Sequence, residues 1–329
     1  MRHAKPKAGA QRGAASRSTR HRIEAPVSGR SVSGAGAAAG TRRSPADRAF
    51  ASETWKLRFA VPLGFPGPDR PYFLETLGSS DPVEQIRHIA SLGLSGVQDN
   101  NLKRRPRAEQ ERIGKSLARH GLEMGCFVND VAGELRWGSR EVGMIAAIRR
   151  SVQESIDAAK RSGGTKIVVN SPRDPKIPLW YELANFTDNL RRVRDMAEKA
   201  RVVLCLEHVN APRIPGLLLN YLGDAYGVVR AVDSPSVKLV FDTTHVQIMD
   251  GDLSANLARV GPEIAVVQVA DVPNRFEPGT GEINFVNLFR QIRDNGFSGL
   301  VEMEHYFSIP GKAGEDAALR ALQEINAAI

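Results

Sequence analysis

At 329 residues the chain has room for one large α/β domain or two ordinary ones. Its net charge of +8 is uneven: residues 1–50 hold eleven Lys and Arg against Glu24 and Asp47, leaving 34 basic and 35 acidic groups in the rest. A nearly neutral body gives no support to a nucleic-acid-binding surface, and no apolar run reaches the ~20 residues of a membrane-spanning helix.

Residues 1–52 are rich in Arg, Ala, Gly and Ser and almost devoid of large aliphatics. Such a segment buries too little apolar area to offset chain entropy, so it is read as a disordered basic tail or as residues added by an upstream-shifted start codon. The composition also suits an organellar targeting peptide. A twin-arginine export signal is not supported, because Arg42-Arg43 is followed by SPADRAFASE rather than an apolar stretch. The two cysteines, Cys126 and Cys205, sit in apolar strand-like runs and read as buried free thiols of a reducing compartment. The expected location is therefore cytoplasmic.

From Leu57 strand and helix patterns alternate. LRFAVPL (Leu57–Leu63) is a first strand, followed by an aromatic, Pro-rich loop. Asp81-Pro82-Val83-Glu84 marks a helix start, with Asp as cap, Pro at the first helical position and Glu three residues after the cap. GVQDN (Gly96–Asn100) is strand two, Ala108–Arg119 a helix, and LEMGCFV (Leu122–Val128) strand three. Val142–Arg161 is a long helix with Ile145, Ile148, Val152 and Ile156 on one face. KIVVN (Lys166–Asn170) is strand four; Leu183, Phe186, Leu190, Val193 and Met196 mark the next helix; VVLCLEHVN (Val202–Asn210) is strand five. Strands six and seven are Val237–Phe241 and Ile264–Val269, separated by a short helix near Leu253–Arg259, and GLVEMEH (Gly299–His305) is strand eight. Eight strands alternating with helices over about 270 residues predict a (β/α)₈ TIM barrel, a single α/β domain over residues 53–329. An open doubly wound sheet would favour a Gly-rich phosphate turn after the first strand, and GFPGPD, broken by prolines, is not one.

The carboxyl ends of the last four strands carry Glu207, Asp242, Gln268 and Glu304. A closed barrel brings such ends together around its mouth, where its chemistry sits. Three converging carboxylates need a cation or bound protons to offset their repulsion. An oxygen-only donor set suits Mg²⁺ or Mn²⁺ better than Zn²⁺, although His208, His245 and His305 keep zinc open. Glu302 shares the face of Glu304 and is its rival for the ligand role. A lone Glu at a strand end is usually a solvated rim residue; it is the set on successive strands that carries weight. Asp271 is a further polar residue at the end of strand seven. His88 and His120 lie in or beside helices and read as structural. Trp180, Phe65 and Tyr72 are placed in loops over the mouth, as stacking walls for a sugar or as loop anchors. PGTGE (Pro278–Glu282) lacks a Walker lysine and supports a phosphate cradle only weakly.

The segments FDTTHVQIMDGDL and QVADVPNRFEPGTGEINF, together with the strand order over residues 57–310, resemble the xylose-isomerase-like barrel superfamily, most closely its hydroxypyruvate isomerase group. The resemblance implies paired metal-binding, proton-transferring glutamates at Glu207 and Glu304, with Asp242 and Gln268 completing the shell. It implies a histidine behind the shell at His245 and a substrate-side R-x-E-P element at Arg275 and Glu277; His208 and Trp180 join them as candidate substrate contacts. This chain departs from the group at Gln98-Asp99-Asn100, where many relatives carry Glu, and at His305-Tyr306-Phe307, where the group usually reads E-Y-K-P. The implied activity is metal-dependent aldose–ketose isomerisation or epimerisation of a small sugar or keto acid, by proton transfer through a metal-bound enediolate. A homo-oligomer is compatible with it. The alternatives are a lyase acting on an oxidised (3-keto) glycoside, an apurinic endonuclease with a zinc cluster, which Gln268 and the neutral body disfavour, and a non-catalytic sugar-binding barrel.

Overall fold

The computed structural model describes residues 54–329, so the expected basic tail lies outside the described residues. Nine parallel strand segments form one sheet: β1 (Phe59–Pro62), β2 (Gly96–Gln98), β3 (Glu123–Met124), β4 (Cys126–Val128), β5 (Lys166–Val169), β6 (Val203–Leu206), β7 (Val237–Asp242), β8 (Ile264–Gln268) and β9 (Val301–Glu302). Their order is β3-β2-β1-β9-β8-β7-β6-β5-β4. β3 and β4 are two halves of the expected third strand, parted at Gly125; β3 pairs with β2 and β4 with β5, which closes the ring. The expected eight-stave barrel is what forms.

The helices are α1 (Leu74–Leu77), α2 (Pro82–Ser91), α3 (Arg107–His120), α4 (Val142–Ser162), α5 (Leu179–Ala200), α6 (Leu222–Val232), α7 (Thr243–Met249), α8 (Leu253–Val260), α9 (Phe285–Asp294) and α10 (Lys312–Ala328). The α2 start follows its sequence signature, since the Asp81 carboxylate accepts the Val83 N–H at 2.8 Å. α9 buries Phe285, Leu288, Phe289 and Ile292, and the Phe289 ring packs on Phe59 of β1 with centroids 5.5 Å apart. Burying each such side chain stabilises the fold by about 1.5–3 kcal/mol. Inside the barrel a separate small cluster of Cys126, Val168, Cys205, Val240 and Val266 fills the axis. A ring of eight staves leaves room for little more than such side chains. Both cysteines are free and buried.

Local departures from the sequence expectations have physical causes. β2 stops at Gln98 because the Asp99 carboxylate turns to Arg105 and to the Asn101 N–H. α7 was not expected: Asp242 ends β7 and caps α7 at once, its Oδ1 accepting the N–H groups of Thr244 at 2.9 Å and His245 at 3.1 Å. Trp180 belongs to the first turn of α5 rather than to a loop, and is 72% exposed against Tyr181. Among the described residues no helix is long and apolar enough to cross a membrane.

Candidate active site

β7 and β8 end at Asp242 and Gln268, and Glu207 follows β6 directly. Glu304 lies two residues past β9, so all four expected ligands meet at the carboxyl end of the barrel. All are buried, Glu207 being the most exposed at 8%. Arg275, from the loop after β8, enters the same space. Its Nη1 lies 3.2 Å from Asp242 Oδ1, and its Nη2 lies 2.8 Å from Asp242 Oδ2 and 3.0 Å from Glu304 Oε1. The other Glu304 oxygen accepts N–H from two amides, Gln98 at 2.5 Å and Gln268 at 2.6 Å. Glu207 stands apart: among the described residues its carboxylate meets a basic side chain within ion-pair distance only at His245 Nε2, 3.6 Å away.

The tautomer of His245 follows from its neighbours. Asn210 Oδ1 accepts the Arg213 N–H at 2.9 Å, so the nitrogen of that amide faces the ring, 2.7 Å from His245 Nδ1. The Asn210 backbone N–H points at the same atom from 3.4 Å. Nδ1 therefore accepts and Nε2 carries the hydrogen, between Glu207 at 3.6 Å and Asp242 Oδ2 at 3.7 Å. Glu207, Asp242 and His245 offer donor atoms within 4.8 Å of one another, but in this tautomer His245 turns an N–H, not a lone pair, toward the carboxylates, from beyond hydrogen-bond distance.

The electrostatics separate the acids. Burial, with Glu304 and Asp242 nearby, pushes Glu207 well above the ordinary carboxylate range. Burial also raises Glu304, against the opposing Arg275 charge. Burial acts in the same sense on Asp242, yet the Arg275 charge, His245 and hydrogen bonding hold it below its usual value. Burial draws His245 down to about 3 and His208 to about 4. His208 has neither ring nitrogen hydrogen-bonded and lies 3.8 Å from Asp250.

The atom types gathered at the mouth are those a divalent cation takes, although Arg275 and the two amides now occupy the Asp242 and Glu304 oxygens. Gln268 Oε1 is buried without a hydrogen-bond partner, and Glu207 has no close donor. Together with Asp242 and Glu304 these are hard oxygen donors of the kind Mg²⁺ and Mn²⁺ take.

Other expected residues are placed differently. Glu277 is bound by the Ser308 N–H at 2.9 Å and its hydroxyl at 2.5 Å. Asp271 does not join the ligands: it accepts the N–H groups of Val272, Gly279, Gly281 and Ile283 at 2.8–3.1 Å. Those bonds occupy backbone N–H groups of the PGTGE turn that an anion would need, which removes the phosphate-cradle reading. Glu302 lies inside the barrel, fully buried, with Cys126. Gln98 and Asn210 escaped the sequence reading as site residues, although Gln98 ends a strand just as Gln268 does. A cavity of about 740 Å³ involving Arg58, Glu123 and Lys166 opens at the opposite, amino-terminal end of the strands, away from this chemistry. Over the mouth, Phe65 lies 5.1 Å from the Tyr306 ring, and Arg213 donates to the Tyr306 hydroxyl at 3.0 Å.

A closed parallel barrel with a carboxylate-rich mouth at its strand carboxyl ends defines a TIM-barrel protein with an enzyme-like site. The model of the xylose isomerase-like TIM barrel family matches residues 86–325, and the chain belongs to that family. It is 30% identical to the hydroxypyruvate isomerase of Escherichia coli (strain K12), over 62% of this chain and 81% of that one. It is 32% identical to the 2-oxo-tetronate isomerase of Cupriavidus necator, over 57% of this chain and 74% of the relative. Among solved structures, an AP endonuclease, family 2, from Brucella melitensis shares the fold with a TM-score of 0.68 at 24% identity, covering 80% of this chain and 98% of that one.

Proposed function

We propose that this protein is a divalent-metal-dependent isomerase of small hydroxylated keto acids or sugars, with hydroxypyruvate and 2-oxo-tetronate as the first substrates to test. The observation that carries the reading is the convergence of Glu207, Asp242, Gln268 and Glu304 at the barrel mouth with the Gln268 oxygen unpartnered. The likeness to the two isomerases supports it. Glu207, Asp242, Gln268 and Glu304 would hold Mn²⁺ or Mg²⁺. When bound, the cation supplies Lewis acidity that makes the proton beside a substrate carbonyl more acidic.

The residues themselves divide the remaining work. Glu207 has no close donor and a carboxyl raised by burial and by its acidic neighbours, which favours it as the group that takes the substrate proton. Glu304 is held from three sides by Arg275, Gln98 and Gln268, and its carboxyl is raised by burial. This suits a group that stays in place, enters the cycle protonated, gives that proton to the neighbouring carbon and regains one from solvent as Glu207 releases the one it took. His245, with its hydrogen on Nε2, supports the Glu207 and Asp242 carboxylates. Phe65 and Tyr306, packed together over the mouth, would keep bulk water from the developing enediolate. Arg275, Glu277, His208 and Trp180 remain proposed substrate contacts, the last from the exposed rim.

The test is an NMR screen for isomer formation from hydroxypyruvate, 2-oxo-tetronate and small ketoses, before and after EDTA treatment and with Mn²⁺ restored. Turnover that survives chelation would sink the metal requirement. No isomer from any substrate, with three tightly held zinc ions by elemental analysis, would favour a nuclease.

A further inference from the structure

Glu302 is a fully buried carboxyl inside the barrel, beneath the ligand cluster, and the proposed reaction gives it no part. The chain nevertheless builds a place for it. Gly125 interrupts the third stave, and a Cβ there would lie 2.2 Å from Glu302 Oε1. Oε1 accepts the Cys126 N–H at 2.8 Å, and Oε2 lies 2.9 Å from Cys126 Sγ. The same two atoms face the amide of Gln268, whose Nε2 is 3.4 Å from Cys126 Sγ and 3.5 Å from Glu302 Oε2.

Each hydrogen-bond partner of Gln268 Nε2 accepts: Glu304 Oε2 at 2.6 Å, then Glu302 Oε2 and the sulfur of Cys126, whose own hydrogen goes to Glu302. A reversed amide would set its oxygen against two carboxylates. In the observed sense Oε1 is left without a partner, as an atom reserved for a ligand would be. Glu304 is itself assigned to the cation, whereas Glu302 and Cys126 are not. The geometry points to Glu302, acting with Cys126, as a positioning residue that orients the Gln268 amide so that its oxygen is presented to the cation. This rests on the proposed assignment of Gln268 as a ligand.

The experiment measures Mn²⁺ affinity by electron paramagnetic resonance in the full chain and in Glu302→Gln, Gln268→Ala and the double variant, with thermal melts to check folding. Glu302→Gln sets an NH₂ group against the NH₂ of Gln268, so the amide turns and Mn²⁺ affinity falls about 10–100-fold, the scale of groups supporting metal ligands. Gln268→Ala weakens binding too, and adding Glu302→Gln to it has no further effect because the residue acts through the amide. Unchanged affinity in Glu302→Gln, or losses that add in the double variant, overturns the proposal while leaving the metal reading intact. A full chain that binds no Mn²⁺ overturns both. If Glu302→Gln does not fold, Cys126→Ala replaces it: a several-fold loss of affinity is expected, and unchanged affinity overturns the assignment.

Discussion

Arg275 meets Asp242 edge to edge, Nη1 on Oδ1 at 3.2 Å and Nη2 on Oδ2 at 2.8 Å, and reaches Glu304 with the same Nη2 at 3.0 Å. One buried guanidinium thus offsets two buried carboxylates, in geometry that suits Arg and not Lys. Removing one partner of a buried ion pair typically costs about 3–5 kcal/mol because the other charge is left uncompensated. Arg275→Ala should therefore melt well below the parent protein. Mn²⁺, supplying the missing positive charge, should raise the melting temperature of the variant by more than it raises that of the parent. Equal metal-induced shifts in a fluorimetric melt would show that Arg275 does not screen these acids.

The two glutamates should fail differently. Glu207→Gln and Glu304→Gln each keep a ligating oxygen, and each should cut turnover by about 10²-fold or more, the scale of a lost general acid or base. With Glu207 as the group that removes the proton, Glu207→Gln should stop both isomer formation and exchange of the substrate α-proton with deuterated solvent. Glu304→Gln should retain exchange. Proton NMR in D₂O reads both; the reverse pattern would swap the roles, and near-normal turnover in Glu304→Gln would abandon the pair.

Asp271 separates loop architecture from ligation. Its carboxylate gathers the N–H groups of Val272, Gly279, Gly281 and Ile283, so Asp271→Ala strands the two buried donors, Val272 and Ile283, at a cost of about 1–3 kcal/mol for each one left unsatisfied. Urea unfolding should show a loss of about 3 kcal/mol or more. At temperatures where the variant is folded, its Mn²⁺ affinity should stay within a few-fold of the parent. A loss of affinity as large as that of Asp242→Ala would return Asp271 to the ligand set.

At the other end of the barrel, Glu123 joins Lys166 at 2.8 Å and Arg58 at 2.8 Å. Burial alone would raise its carboxyl, but bonding to and the charges of Lys166 and Arg58 bring it below the usual glutamate value. A carboxyl lowered in the folded state adds stability that is present above the unfolded value and is lost as pH falls through the folded one. Because the pair is partly exposed, the effect is modest and screened by salt. The stability gap between parent and Glu123→Gln should thus be open near neutral pH and close in acid. A gap that widens on acidification would contradict the assignment.

Much of this molecule was legible in the chain. Alternating apolar runs and amphipathic helices specify a (β/α)₈ order, because a parallel strand buried on both faces must be apolar throughout and each crossover must lay one greasy face on the sheet. The signal at Asp81-Pro82 set the start of α2 to the residue, since a cap bond is made within a few positions. The polar strand ends at Glu207, Asp242, Gln268 and Glu304 could be singled out because strand ends converge in any closed barrel. α7 escaped because TTHVQIM has no helical pattern of its own; it forms where Asp242 supplies the cap.

What the sequence determined by itself, then, is the order of elements and the placing of Glu207, Asp242, Gln268 and Glu304 at the ends of successive strands, because these depend on local periodicity and on where each strand stops. What the tertiary structure decided is how those side chains are held. That Nε2 of His245 carries the hydrogen depends on Asn210, 35 residues away in the chain. That Gln268 leaves its oxygen free depends on Glu304, Glu302 and Cys126, the last 142 residues away. Asp271 and Asp242 look equally suited to a metal in sequence; one binds its own loop and the other faces Arg275. Hydrogen-bond partners and burial, unlike periodicity, are properties of pairs distant along the chain, and only the closed barrel brings those pairs together.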